Sequence, residues 1–370
     1  YLHPKMKMML KDTFGVMIYQ EDVIKVVRTI AGMSLGEADN LRKCMSKKRD
    51  WKNINTYRQR FLSGAVANKV KSRTALEIWR QIESFAGYAF CKAHSASFAM
   101  VSYRTAYLKA HYPAEFMTAV LSNQGGFYDV GAYIEEARRM GARILPPHIN
   151  HSYNEFTAHD TSIRIGLSQV KRLKKSTINS ILKNRQNKLY TSLIHFLLRI
   201  NIDKAEAEAL IRCGALDGFD SSRPEMLWVL KIFLKHGKTF FRLPTSPLKL
   251  GQYSPREKLL AELEHLDLTV SSHLLALYDI AGKNIVSANE LSRFAGRVVT
   301  LVGCLVTAKQ TLTVKNELMK FVTLDDATAL FEVALFPKTY KRFGSLFYDH
   351  GPYIVKGRVE KEGRCLSVTA

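Results

Sequence analysis

Residues 87–116 read GYAFCKAHSASFAMVSYRTAYLKAHYPAEF, and this stretch sets how the N-terminal part of the chain is built. A glycine-bounded aromatic turn leads into a cluster of Lys92, His94 and Ser95. An apolar helix follows over Phe98–His111. Pro113 ends it and suits the first turn of the next helix, where Glu115 faces the positive end. A generic core helix does not need a lysine, a histidine and two serines in its first turn. Ser95 or Ser97 is expected to cap the helix and leave free amides aimed outward, where a phosphate could dock. The plainer alternative is a capped helix with an incidental lysine and a structural His94.

Upstream, residues 40–73 hold eleven lysines and arginines against a single acid, Asp50. On a helix, Arg42 and Lys43 share a side with Lys47 and Lys48. Clustered cations repel one another unless an anion or solvent compensates. A solvated basic face is one reading. The density favours phosphate, with Arg42 forking two oxygens and the lysines acting as point charges.

Composition agrees. The 370 residues carry a net charge of +22 with 46% hydrophobic content, enough for two to four cored domains. Such a charge on a folded chain implies nucleic acid or another anionic surface. No apolar run reaches the ~18 residues that span a membrane. The five cysteines, at 44, 91, 213, 304 and 365, form no CxxC pair, so neither structural zinc nor a disulfide framework is indicated and the chain reads as cytosolic. It begins at Tyr1 and enters an element directly, which reads as a fragment lacking its N-terminal part.

Working outward, a helix is expected from Gln20, with Val23, Ile24, Val26, Val27 and Ile30 on its apolar face and Gly32 as its stop. Others begin near Thr74 and cover Val130–Met140. Leu145–Asn150, with two prolines, marks a boundary. Ile163 and Ile165 suggest a short hairpin strand. Residues 168–217 read as two small helical hairpins. The first carries seven basic residues and no acid over Lys171–Lys188; the second opens on a capping box, Asp203 and Glu206. Leu243–Pro255 reads as a linker. From Arg297 the period becomes two: Val298–Val306, Lys320–Leu324, Leu330–Phe336, Tyr353–Val359 and Cys365–Val368 suit five short strands of a small OB-type barrel or a sandwich fragment.

Lys171, Arg172, Lys174 and Lys175 lie where a helix-hairpin-helix turn would meet DNA phosphate; a solvated loop is the alternative. Asp325-Asp326 reads as a turn rather than a metal site. No P-loop, GxSxG, HExxH or deaminase pattern is present.

Several words of the sequence resemble the bacterial DNA polymerase III alpha subunit, the C-family polymerases, in its C-terminal half. They are Phe14–Glu21, Asn40–Lys48, Phe85–Phe98, Val101–Met117, Ile144–Asn150, Gly214–Asp217, Phe321–Asp326 and Glu332–Pro337. The resemblance runs nearly end to end. It implies a multi-domain α+β chain: helical fingers over 1–150, tandem helix-hairpin-helix over 151–235, a connector over 236–290 and an OB barrel over 291–370.

In the family, paired basic residues of the fingers approach the incoming nucleotide's phosphates. Arg42 and Lys43 fill those positions, lysine replacing the usual second arginine. Lys47, Lys48, Lys92, His94 and Ser95 fall in matching segments. The implied activity is template-directed DNA synthesis in replication or error-prone repair. Its Mg2+ would be held by palm aspartates outside these residues, so the chain alone is expected to bind no metal and to be inactive. Implied partners are dNTP, primer-template DNA, single-stranded DNA at the barrel, a sliding clamp and other polymerase subunits; the implied location is the bacterial cytoplasm at the nucleoid. Two features depart from the family. The first hairpin's glycine-rich turn is replaced by Arg172-Leu173-Lys174, which makes backbone approach to phosphate harder. No clamp-binding peptide of the Gln…Leu-Phe kind is found. A non-catalytic DNA-binding scaffold lacking a palm is the main alternative, and an RNA-binding module a further one.

Overall fold

The computed structural model describes residues 1–46, 51–85, 90–124, 126–237, 249–280, 284–363 and 365–370. Two compact units, Tyr1–Tyr107 and Leu108–Ala370, make up the chain. The mixed α+β class expected from the sequence is found.

The first unit is helical: α1 (Pro4–Met9), α2 (Gln20–Ala31), α3 (Leu35–Ser46), α4 (Trp51–Ala67), α5 (Ser72–Phe85) and the start of α6 (Lys92–His111). Val23, Val26, Val27 and Ile30 lie buried on one face of α2. They share a core with Leu41, Phe61, Ile78, Trp79 and Ile82. The rings of Phe61 and Trp79 stand 5.4 Å apart, and the indole donates to Glu83 at 2.6 Å, so the largest side chain of this core leaves no polar atom unpaired. Gly32 ends α2 in the left-handed region, as its position predicts.

The second unit continues with α7 (Pro113–Asn123), α8 (Val130–Arg139), β1 (Arg143–Leu145), β2 (Thr157–His159) and β3 (Ser162–Arg164). The hairpin expected from Ile163 and Ile165 forms between β2 and β3. β1 pairs in parallel with β3, across the Pro146-Pro147 step read from the sequence as a boundary. Then come α9 (Lys175–Asn187), α10 (Leu193–Arg199), α11 (Lys204–Arg212), α12 (Arg223–His236) and α13 (Pro255–Leu266). Of the proposed linker, residues 243–248 lie outside the described residues, and Pro255 already opens α13.

The last part is the barrel: β4 (Val298–Leu312), β5 (Leu318–Asp325), β6 (Leu330–Leu335), α14 (Pro337–Phe343), β7 (Tyr353–Glu362) and β8 (Cys365–Thr369). β5 follows β4 and β6 follows β5, both antiparallel; β6 pairs with β8 in parallel, β8 with β7, and β7 with β4, closing the ring. A closed five-stranded barrel with a helix between its third and fourth strands is the OB arrangement. Leu301, Val322, Leu324, Val333, Val359 and Val368 fill it. A Cβ at Gly303 would lie 2.9 Å from that of Leu324, so only glycine fits there.

Candidate nucleic-acid interface

Three of the sequence words meet at the start of α2. The Gln20 amide donates to Phe90 O at 2.9 Å, and its side-chain oxygen accepts Arg42 Nη1 at 3.1 Å. The Glu21 carboxylate accepts the Lys92 amide at 3.0 Å and the Cys91 thiol at 3.1 Å. Partial burial raises the Glu21 carboxyl, but these bonds and the charge of Lys25 outweigh it and hold the pKa below the usual value. Lys92 Nζ lies 5.6 Å above the Tyr19 ring and 3.8 Å from Asp12.

This geometry corrects the expected cap. α6 begins at Lys92, so Ser95 sits inside its first turn, where its hydroxyl donates back to Cys91 O at 3.1 Å. The positive end of α6 already holds a carboxylate. The cap comes from Glu21, remote in sequence, which a local search for Ser or Thr cannot find. His94 is exposed in the same turn. The apolar reading of α6 also needs correction. None of its residues is buried, and Phe98 and Tyr103 are among its exposed side chains.

Arg42 and Lys43 share Asp39, at 2.9 and 2.8 Å. Hydrogen bonds from Lys43 and then Arg42 lower the Asp39 carboxyl below its ordinary range. Asp39 lies one position before the basic window, and it supplies the compensating charge that the window lacks. Lys47 and Lys48 lie outside the described residues.

The second candidate surface is the first hairpin turn. Arg172 takes the left-handed conformation, φ 69°, that the sequence reading reserved for glycine. Lys174 precedes α9 with no side-chain cap. Among the described residues, the amides of Arg172, Lys175 and Ser176 have no acceptor within the protein. The four predicted basic residues divide. Lys171 pairs with Asp267 at 2.8 Å and Lys174 with Asp203 at 2.7 Å. Arg172 and Lys175 are exposed with no ion pair among the described residues.

Conserving the frame of this region falls to two further words. Ile149 N donates to Ala215 O at 2.9 Å, and the Asn150 side chain brackets the Tyr190 backbone at 2.8 and 2.9 Å. Gly214, at φ 85°, lies under the ion pair of Asp217 and Arg223, where a Cβ would strike the guanidinium at 2.2 Å. Burial, then the charges of His151 and Arg164, push the His148 imidazole down to about 4.

Sequence reasoning missed Asp325. It ends β5 instead of standing in the turn, is almost fully buried, pairs with Arg139 of α8 at 2.6 Å, and lies 3.6 Å from His273 Nε2. The Asp-Asp pair resembled a turn because Asp326 is one: its carboxylate accepts the amides of Thr328 and Ala329. Among the described residues no three His, Cys, Asp or Glu side chains converge to hold a metal ion. The five cysteines are free thiols, and no helix among the described residues is long and apolar enough to cross a membrane.

A cation pair on α3, an uncapped hairpin turn and a closed OB barrel are features met in proteins that handle nucleic acid, and known proteins narrow the class. A family model described as "Bacterial DNA polymerase III alpha subunit finger domain" matches residues 1–69, and one described as "Helix-hairpin-helix motif" matches 141–226. A DNA polymerase III subunit alpha of Saccharopolyspora erythraea is 33% identical, over 100% of this chain and 34% of its own length. An error-prone DNA polymerase of Symbiobacterium thermophilum is 30% identical over 100% of this chain and 39% of its own. The Bacillus subtilis DNA polymerase III subunit alpha is 30% identical over 97% and 34%. The chain belongs to the bacterial DNA polymerase III alpha subunit family. It spans between a third and two fifths of the length of these relatives.

Proposed function

We propose that the chain is the part of a C-family DNA polymerase that grips DNA and the incoming nucleotide. The first hairpin takes a backbone phosphate of the duplex: Arg172 and Lys175 supply charge, and the open amides supply directed donors. Lys171 and Lys174 add to the field from within their ion pairs. Arg42, Lys43 and Lys92, with Lys47, Lys48, His94 and Ser95 in the adjoining sequence, face the triphosphate of a dNTP. Residues 1–150 serve as fingers, 151–235 as the hairpin region, 236–290 as a connector and 291–370 as a barrel for single-stranded DNA. Clamp and other polymerase subunits would be met by the whole polymerase in the bacterial cytoplasm.

The observation that carries the reading is the Arg172 turn: a non-glycine residue held in a left-handed conformation, exposed, beside unpaired amides at a helix start. The chemistry of nucleotide addition, with its Mg2+, belongs to carboxylates these residues do not supply. The chain by itself therefore binds duplex DNA without extending a primer. Titration with labelled duplex at several salt concentrations, alongside a primer-extension assay with magnesium, tests both halves. Salt-dependent binding without extension is expected; extension by the purified chain would contradict the assignment.

A further inference from the structure

Glu206 lies in the first turn of α11 with its side chain 2% exposed. Its Oε1 accepts the amide of Lys174 at 2.8 Å, and its Oε2 accepts the amide of Asp203 at 3.3 Å. One buried carboxylate thus takes one amide from each hairpin turn. Asp203 returns a bond to the Glu206 amide at 2.9 Å and holds Lys174 Nζ at 2.7 Å. The hydrogen bond to Lys174 and then that from the Glu206 amide lower the Asp203 carboxyl below its usual value, so it stays ionised.

The two hairpins are therefore unequal. The start of α11 is closed by a reciprocal capping box and carries negative charge. The start of α9 has no side-chain cap, and its amides are open. Charge and capping thus oppose an anion at the second turn, whereas open amides with Arg172 and Lys175 favour one at the first. By charge alone, a carboxylate this close to a DNA-binding turn weakens binding. What it contributes instead is geometry: it fixes the amide two residues after the left-handed Arg172.

We propose that Glu206 is a positioning residue of the DNA interface, through which the second hairpin holds the first turn in its phosphate-receiving form and takes no phosphate itself. The proposal rests on the reading of the first hairpin as a duplex-binding site.

Fluorescence anisotropy of the 370-residue chain with a labelled duplex tests it, because the two effects of Glu206→Gln have opposite signs. Loss of charge would tighten binding. Loss of one of two acceptor oxygens is expected to weaken it roughly tenfold in a variant whose thermal midpoint shows it folded. Asp203→Asn keeps a good cap and the Glu206 bonds while removing a charge, and is expected to bind as tightly as wild type or more so. Unchanged or tighter binding by folded Glu206→Gln, or equal weakening by Asp203→Asn, would overturn the proposal. The underlying reading is tested separately: a wild type that ignores duplex DNA sinks it, whereas weakening by Arg172→Ala with Lys175→Ala upholds it whatever Glu206→Gln does. Should Glu206→Gln not fold, amide exchange in the wild type decides. Slow exchange at Lys174 and Asp203, with fast exchange at Arg172 and Ser176 that slows on adding duplex, is expected; fast exchange at Lys174 would overturn the proposal.

Discussion

The carboxylate of Glu21 accepts the backbone amide of Lys92 at 3.0 Å, so the first helical turn of α6 is capped by the first turn of α2. Neither residue is a cap by local sequence. Glu21→Ala removes a charged acceptor from an exposed amide and a half-buried thiol and is expected to destabilise the first unit by about 1 kcal/mol. Denaturant unfolding of the variant measures this. A change below about 0.5 kcal/mol would mean that solvent serves the Lys92 amide equally well.

Arg172 combines backbone strain with exposed charge, and one substitution separates them. Arg172→Gly suits φ 69° and is expected to stabilise the chain by about 1 kcal/mol. The same change should weaken duplex binding and lower the slope of log affinity against log salt by about 1. Stability rising while affinity falls is the expected pair of results. A drop in both would show that the guanidinium supports the turn.

Asp325 and Arg139 form a buried pair whose loss leaves a charge behind. Burial alone would lower the Arg139 guanidinium, but hydrogen bonding and charge from Asp325 and Glu136 raise it. Asp325→Ala is expected to cost roughly 3 kcal/mol, and adding Arg139→Met should recover much of it. Thermal unfolding of the single and double variants checks the coupling, which additivity would refute.

His148 should make the second unit sensitive to mild acid. Its Nδ1 accepts the Asn150 amide at 3.0 Å, and its Nε2 lies 3.0 Å from Asp217 O, so the neutral ring with hydrogen on Nε2 satisfies both. Burial, then His151 and Arg164, depress the folded value to about 4 from 6.5. The unfolded chain therefore binds the proton first, and the stabilisation present above pH 6.5 is lost as pH falls towards 4. The melting temperature should drop by several degrees over that window, with the drop smaller in His148→Asn. Identical pH profiles would contradict the assignment.

Much of the fold was legible because its signals are local. Val23, Val26, Val27 and Ile30 marked α2, Gly32 its end, Asp203 and Glu206 the cap of α11, and the change of period after Arg297 the five strands. The Pro337–Phe343 helix was passed over, since seven residues carry little periodicity. Site geometry was less legible because its partners are distant. Glu21 at Lys92, Asp39 beside Arg42 and Lys43, and Arg139 at Asp325 are joined by tertiary packing that residue spacing does not report. The residues Arg172-Leu173-Lys174 in place of a glycine-rich turn predict a harder backbone approach to phosphate; sequence spacing does not report that Arg172 takes φ 69°, flanked by the bonds of Lys171 N to His265 O and Lys174 N to Glu206.

The most direct test of the account compares duplex DNA binding by the 370-residue chain and by its Arg172→Ala, Lys175→Ala variant across a range of salt. Tight, salt-dependent binding by the wild type is expected, with the variant at least tenfold weaker at low salt and its log–log slope smaller by about 2. Equal affinity and equal slope for the two proteins would show that DNA, if bound, is held elsewhere, and would contradict the assignment of the first hairpin.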